Sequence, residues 1–239
     1  MTAQRRVQQQ PAYILHHRPF RDTSRILDVL SRDHGRLALV ARGSRGSASR
    51  LRGVLRPFMP LEMSWVIRTD MGTLTGAEVR GAPLSLRGVA LLSGYYLNEL
   101  LIHLLHRHDP QPEIFEAYSR TLAALGTTGR VAACLREFEI ELLRQLGYAL
   151  DLDREAGTEE PLDPAGHYEY RMEQGPVAVD REQGALVFLG ATLGAIGRRE
   201  FADDEVLRAA GRLLRGVIDF QLGGKPLKTR KVLADIHKR

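Results

Sequence analysis

Short apolar runs separated by turn residues fill the first third of the chain. Five of these runs have the length of a strand and are rich in Val, Ile, Leu and aromatic residues: 12–16, 24–30, 36–41, 61–67 and 73–79. Pro19, Gly35 and Gly72 interrupt the pattern where turns are expected. Strands this short leave exposed edges unless the sheet closes, so the pattern predicts a five-stranded Greek-key β-barrel of the oligonucleotide-binding (OB) type.

The apolar period becomes helical after residue 83. Helices are predicted over residues 85–106, 114–125 and 131–146, then from an N-cap at Asp203 to Gly223, and finally over 227–236. Apolar residues lie nearly all round the first helix, which is therefore expected to be central and largely buried.

Residues 148–190, between the third and fourth helices, are acidic and interrupted by Gly and Pro. Within them the pattern predicts a short hairpin of 167–172 with 176–179. The predicted fold is α+β: an OB-type barrel domain in residues 1–80, then a mainly α-helical domain in residues 81–239 with a small irregular acidic insertion at 148–190.

Charge is distributed unevenly along the 239 residues. The net charge is +5, but residues 1–80 carry +8, residues 81–149 carry −1, residues 150–210 carry −8 and residues 211–239 carry +6. Two basic ends that flank an acidic middle indicate partners that contact particular faces of the protein.

Several classes of protein are excluded by composition. The chain has no run of about 18 uninterrupted apolar residues, and its N-terminus lacks the apolar core of a secretory signal. A single cysteine, Cys134, excludes an intrachain disulfide and a multi-cysteine zinc site. These features predict a cytoplasmic protein without a membrane span.

Six arginines stand between residues 36 and 56 with no acidic residue among them: Arg36, Arg42, Arg45, Arg50, Arg52 and Arg56. A loop rich in small residues cannot bury this charge, so a polyanion, nucleic acid above all, is the expected complement. A merely solvated loop is the alternative, because 30 of the 34 basic residues are arginine and arginine itself is therefore uninformative. Phe20, Phe58 and Trp65 are expected in the core more than at a base-stacking surface.

No catalytic site is predicted. His103 and His106 share a helical face, but no aligned third ligand accompanies them. Lys225 follows two glycines, yet Asp219 and Pro226 stand where a phosphate-binding loop needs glycine and a hydroxyl residue. We therefore predict a binding protein without a cofactor.

Several motifs, in order along the chain, resemble the RecO family of bacterial DNA repair proteins. They are residues 13–20 (YILHHRPF), 35–43 (GRLALVARG), 55–58 (LRPF), 93–100 (SGYYLNEL), 136–148 (REFEIELLRQLGY) and 222–230 (LGGKPLKTR). The resemblance covers nearly the whole chain from Ala12. Some members carry a four-cysteine zinc site after the third helix, and residues 148–190 contain no cysteine, so zinc is not predicted.

The resemblance implies a recombination mediator. Such a protein binds single- and double-stranded DNA, anneals complementary strands, engages single-stranded DNA-binding protein and acts with RecR to load RecA. The DNA-binding candidates are the six arginines named above, together with Lys225, Lys228 and Arg230. An RNA-binding OB-fold adaptor is the alternative function that the basic loop alone leaves open.

A second site is implied by the partner protein, whose acidic C-terminal tail ends in an apolar residue. Such a tail needs an apolar pocket bordered by arginine. By analogy with the family, Arg136 and Arg208 are the candidate cations, and Leu135 and Phe138 lie on the apolar face beside Arg136. The alternative is that both arginines are ordinary surface residues.

Overall fold

The structure, a computed structural model, describes residues 5–46, 49–67, 71–82, 84–181 and 183–237, with side chains up to residue 232. Two compact units divide the chain. The barrel unit comprises Met1–Thr128 with Leu227–Arg239, and the second unit comprises Gly129–Pro226. The domain boundary at residue 80 stays a prediction.

Strands and helices within the described residues follow the predicted order. They are β1 (Arg5–Phe20), β2 (Ser24–Ser31), β3 (Gly35–Ala41), α1 (Leu51–Val54), β4 (Leu61–Ile67), β5 (Met71–Val79), α2 (Gly88–Leu104), α3 (Pro112–Thr127), α4 (Val131–Gln145), β6 (His167–Arg171), β7 (Gly175–Ala178), β8 (Val187–Leu189), α5 (Gly190–Gly197), α6 (Asp204–Gln221) and α7 (Lys228–His237). The predicted α+β fold is confirmed.

The first five strands close into a barrel in the order β1-β2-β3-β5-β4. All neighbouring strands are antiparallel except β3 and β5, which are parallel. Alternate side chains fill the interior, among them Leu27, Val29, Leu37, Leu39 and Trp65, all of which are buried. The predicted five-stranded barrel is therefore present.

Strand β1 is much longer than the predicted run of residues 12–16. Its first half pairs with β4 and its second half pairs with β2. The register shifts between Val7 and Gln10 and again between Ile14 and His16. Each shift moves the side chains that follow to the other face. A strict period of two cannot therefore identify the whole strand from sequence.

Helix α2 packs against β1, α3 and α7 in the barrel unit. The helix is largely buried, as expected, although Val89 is 48% exposed and Tyr95 is 41% exposed. Its buried face includes Asn98, whose amide Nδ2 donates to the Leu15 carbonyl of β1 at 2.8 Å. The Tyr118 hydroxyl of α3 donates to Asn98 Oδ1 at 2.5 Å. One polar side chain thus joins two helices to the barrel.

The second unit contains the predicted hairpin, formed by β6 and β7. Strand β8 adds to the other edge of β6, and α5 follows it directly; neither element was predicted. The N-cap of α6 is confirmed, since Asp203 Oδ1 accepts from the amides of Glu205 at 2.6 Å and Val206 at 3.3 Å. The region 148–190 is thus partly a small sheet.

We expect Asn98→Leu to destabilise the protein by about 1–3 kcal/mol, because it removes the side-chain partner of the Leu15 carbonyl and one hydrogen bond of the Tyr118 hydroxyl. Urea unfolding monitored by circular dichroism measures this change. Ser119→Ala is the matched control, because it removes only the part-buried contact between the Ser119 and Tyr13 hydroxyls. Equal urea midpoints for Asn98→Leu and Ser119→Ala would show that the hydrogen bonds of Asn98 contribute little to stability.

Candidate nucleic-acid interface

The segment between β3 and β4 closes one end of the barrel and also presents arginines. Leu51 and Val54 of α1 pack against the barrel core, and Leu55 is fully buried within it. Arg50 and Arg52 stand beside these residues and are exposed. The short helix therefore turns its apolar side inward and its charge outward.

Hydrogen bonds fix the start of this segment against the β1–β2 turn. The Arg45 amide donates to the Thr23 carbonyl at 2.9 Å, and Arg45 Nη1 donates to the Arg21 carbonyl at 3.2 Å. Arg18 and Arg21 belong to the same hairpin and are both exposed. The fold thus adds two arginines from the hairpin to the segment that the sequence indicated.

Five of the six predicted arginines are exposed: Arg42, Arg45, Arg50, Arg52 and Arg56. No ion pair joins any of them to a carboxylate within the part of the chain that the structure describes. Asp22 is the single acidic residue of the adjoining turn. We name these five residues, with Arg18 and Arg21, the arginine surface.

Arg36 differs from the other five arginines. It lies near the start of β3, roughly 17 Å along the strand from Ala41 at a rise of about 3.3 Å per residue. Its side chain is only 14% exposed, and its Nη1 lies 3.7 Å from Asp28 Oδ1. Burial lowers the pKa of the Arg36 guanidinium, although Asp28 opposes that shift. The sequence placed no carboxylate beside Arg36, whereas the fold does.

Aromatic residues contribute little to this surface. Trp65 is fully buried, and Phe58 is buried with its ring 4.9 Å from that of Tyr95, as expected for core residues. Phe20 is partly exposed, and the Arg21 guanidinium lies 5.2 Å from its ring centroid. A surface with many cations and few free rings is suited to contact with phosphates more than with bases.

The C-terminal candidates have different surroundings. Lys225 and Lys228 are exposed. Glu99 of α2 accepts from the Lys228 amide at 2.8 Å and from the Thr229 amide at 2.9 Å, so a carboxylate caps the first turn of α7. Arg230 is partly buried, with its guanidinium 5.6 Å from the Tyr96 ring centroid. Arg230 therefore attaches α7 to α2.

The candidate tail site lies in the second unit, where α4 packs against α6. Arg136 Nη2 donates to Glu139 Oε1 at 2.8 Å. Leu135 and Phe138 are both buried. Arg208 instead borders an open groove of about 990 Å³ whose lining includes Phe188, the partly exposed Leu189 and Arg212.

Comparison with known proteins decides the family. Two family models together match almost the whole chain: Recombination protein O N terminal over residues 5–82 and Recombination protein O C terminal over residues 86–231. The chain belongs to the RecO family. Among its relatives are the DNA repair protein RecO of Aromatoleum aromaticum, 45% identical over the full length of both chains, and that of Dechloromonas aromatica, 43% identical over the full length of both. RecO of Coxiella burnetii is 42% identical over 96% of this chain and 99% of that protein.

Membership of the RecO family supports a role in DNA repair and recombination. Within the described residues no group of three or more His, Cys, Asp or Glu side chains is arranged to hold a metal ion. None of the helices described above has the length and apolar character needed to cross a membrane.

The cap of α7 depends on the ionised form of Glu99. Burial alone would raise the pKa of Glu99, but hydrogen bonds from Thr229 and Lys228 outweigh it and hold the pKa below its ordinary value. The ionised carboxylate is therefore the form that stabilises α7. Its contribution is present above the ordinary pKa of a glutamate and is lost as the pH falls through the lowered value.

We expect Glu99→Gln to accelerate hydrogen exchange at the Lys228 and Thr229 amides at neutral pH, because a neutral amide is a weaker cap. Hydrogen exchange read by mass spectrometry measures this change. Glu113→Gln, an exposed first-turn glutamate of α3, is the control and should leave α7 unchanged. Unaltered exchange at both amides in Glu99→Gln would show that the cap is unimportant.

Proposed function

We propose that this protein is a recombination mediator that binds single- and double-stranded DNA through the arginine surface and anneals complementary strands. It engages single-stranded DNA-binding protein, acts with RecR and promotes the loading of RecA. It works in the bacterial cytoplasm at the nucleoid, by binding and without chemical turnover.

The observation that supports DNA binding most directly is the uncompensated charge of the arginine surface. Exposed guanidinium groups without neighbouring carboxylates attract phosphates and release their counterions, which favours binding at low salt. Family membership favours DNA over the RNA target of the alternative hypothesis.

Annealing is consistent with the chemistry of this surface. Two strands repel each other through their phosphates, and bound arginines screen that repulsion. Because Trp65 and Phe58 are buried, few rings compete for the bases, which therefore stay available for pairing. A phosphate-binding surface of this kind holds strands without selecting a sequence.

Three double variants locate the DNA surface: Arg18→Ala/Arg21→Ala, Arg42→Ala/Arg45→Ala and Arg50→Ala/Arg52→Ala. For single strands we expect the slope of log affinity against log salt to fall by about 0.7 for each phosphate contact removed. Fluorescence anisotropy with a labelled oligonucleotide gives the slope, and annealing of complementary oligonucleotides gives the activity.

Arg87→Ala/Arg120→Ala is the matched control for these variants, because it removes the same charge from two exposed arginines of the same unit, Arg87 just before α2 and Arg120 in α3. The control should keep the slope of the wild type. Equal losses in the control and the three pairs would mean that net charge matters and that the arginine surface is not the binding site.

The partner tail is proposed to bind in the second unit beside Arg136 and Arg208. Arg208 supplies an exposed cation at the groove, and the exposed Leu189 supplies an apolar contact beside it. Arg136 contributes less directly, since its guanidinium is already bonded to Glu139.

We expect Arg208→Ala to lower the affinity for an acidic peptide with an apolar C-terminal residue by roughly tenfold or more. The reason is that a hydrogen bond to a charged group contributes about 1.5–3 kcal/mol. Isothermal titration calorimetry measures the affinity. Arg136→Ala should also lower the affinity for the peptide. Arg154 is an exposed arginine of the same unit, and Arg154→Ala should leave the affinity unchanged. Undiminished binding in both Arg136→Ala and Arg208→Ala would exclude this site.

A further inference from the structure

A separate cavity of about 420 Å³ lies in the second unit. It is bounded by the segment that follows α4, by the β6–β7 turn and by the last turn of α6. Its size is within the range of cavities that bind small groups. We call it the aromatic cleft, after Tyr148, Tyr170 and Phe220, which line it.

Backbone geometry presents Tyr148 at the rim of the aromatic cleft. Gly147 adopts φ +84°, and the Tyr148 amide donates to the Leu143 carbonyl at 2.8 Å, which ends α4 at this point. Tyr148 is then 45% exposed, and Phe220 in the last turn of α6 is 47% exposed. Two large rings at one cavity form an apolar surface of the kind that marks a binding site.

Tyr170 supplies a polar group to the aromatic cleft. This residue of β6 is only 7% exposed, and its hydroxyl has no hydrogen-bond partner among the residues that the structure describes. Burial and the nearby Asp151 raise the pKa of Tyr170 to about 12, so at neutral pH the hydroxyl keeps its proton and can accept a hydrogen bond.

The charge at the aromatic cleft is negative. Asp151 and Glu173 line it, both are exposed, and neither forms an ion pair with a described basic residue. Among the residues that the structure describes, the lining of the cleft includes no Lys, Arg or His.

We propose that the aromatic cleft binds an arginine or lysine side chain from a basic segment of a partner protein. The faces of Tyr148 and Phe220 attract a cation through their ring quadrupoles. Asp151 and Glu173 attract the same charge, and the Tyr170 hydroxyl accepts a hydrogen bond from it. The three kinds of group thus favour one ligand.

Charge complementarity selects a protein partner over nucleic acid. Two carboxylates at the rim repel phosphates, whereas the rings alone would accept a base as readily as a cation. The aromatic cleft and the arginine surface belong to different units, so their variants are expected to have independent effects.

The probe is a fluorescein-labelled, capped pentapeptide with a central arginine flanked by glycines, titrated with the full chain and read by fluorescence anisotropy. The same peptide with citrulline, a neutral isostere of arginine, should bind at least about tenfold more weakly. Tyr148→Ala/Phe220→Ala and Asp151→Asn/Glu173→Gln should each weaken the arginine peptide by at least about tenfold. Asp180→Asn, an exposed acid of the same unit, should leave the affinity unchanged.

Three results would overturn the assignment. They are absence of binding of the arginine peptide, equal binding of the citrulline peptide, or full affinity in both cleft variants when circular dichroism shows a native fold. Weaker oligonucleotide binding in Tyr148→Ala/Phe220→Ala would identify a base-stacking site instead. Dissociation of a dimer in the same variant, measured by sedimentation, would identify a second copy of this chain as the source of the cation.

Discussion

Strand β1 is the constraint on which the barrel unit depends. One continuous strand pairs with β4 in its first half and with β2 in its second half, so the barrel closes only if β1 changes neighbours within its length. The same strand attaches the helices, because the Leu15 carbonyl accepts from Asn98 of α2 and the Tyr13 hydroxyl meets Ser119 of α3. Barrel closure and helix docking therefore depend on the same few residues.

Regular elements of this fold were predictable because their burial follows a single period. Strand β4 alternates, with Leu61, Met63 and Trp65 buried and the residues between them partly exposed, and α6 presents an unbroken apolar face after the Asp203 cap. Other elements follow no local rule. Strand β1 contains two shifts of register, α1 has only four residues, and β8 has only three and gains its stability by pairing with β6. Such elements depend on tertiary contacts that no local pattern encodes.

The candidate binding sites, too, were only partly predictable from the sequence. A run of arginines without acids is visible in sequence, and five of its six members are exposed. The pairing of Arg36 was not foreseen, because its partner Asp28 lies on the neighbouring strand and strand register was not predicted. Arg18 and Arg21 were missed because they join the arginine surface only through the hydrogen bonds of Arg45. Leu135 and Phe138 belong to the apolar face that the sequence indicated, and both are buried; their contact with a partner tail stays a prediction.

The segment between β3 and β4 contains residues that stabilise the barrel next to residues that are exposed for binding. Leu51, Val54 and Leu55 contribute to the barrel core, whereas Arg50 and Arg52 face solvent. Like charges at this density repel one another, and no ion pair with a carboxylate compensates them among the residues that the structure describes. Their arrangement is unfavourable for the isolated chain and becomes favourable when phosphates neutralise it. Arg36, paired with Asp28 and mostly buried, contributes to the structure of the barrel instead.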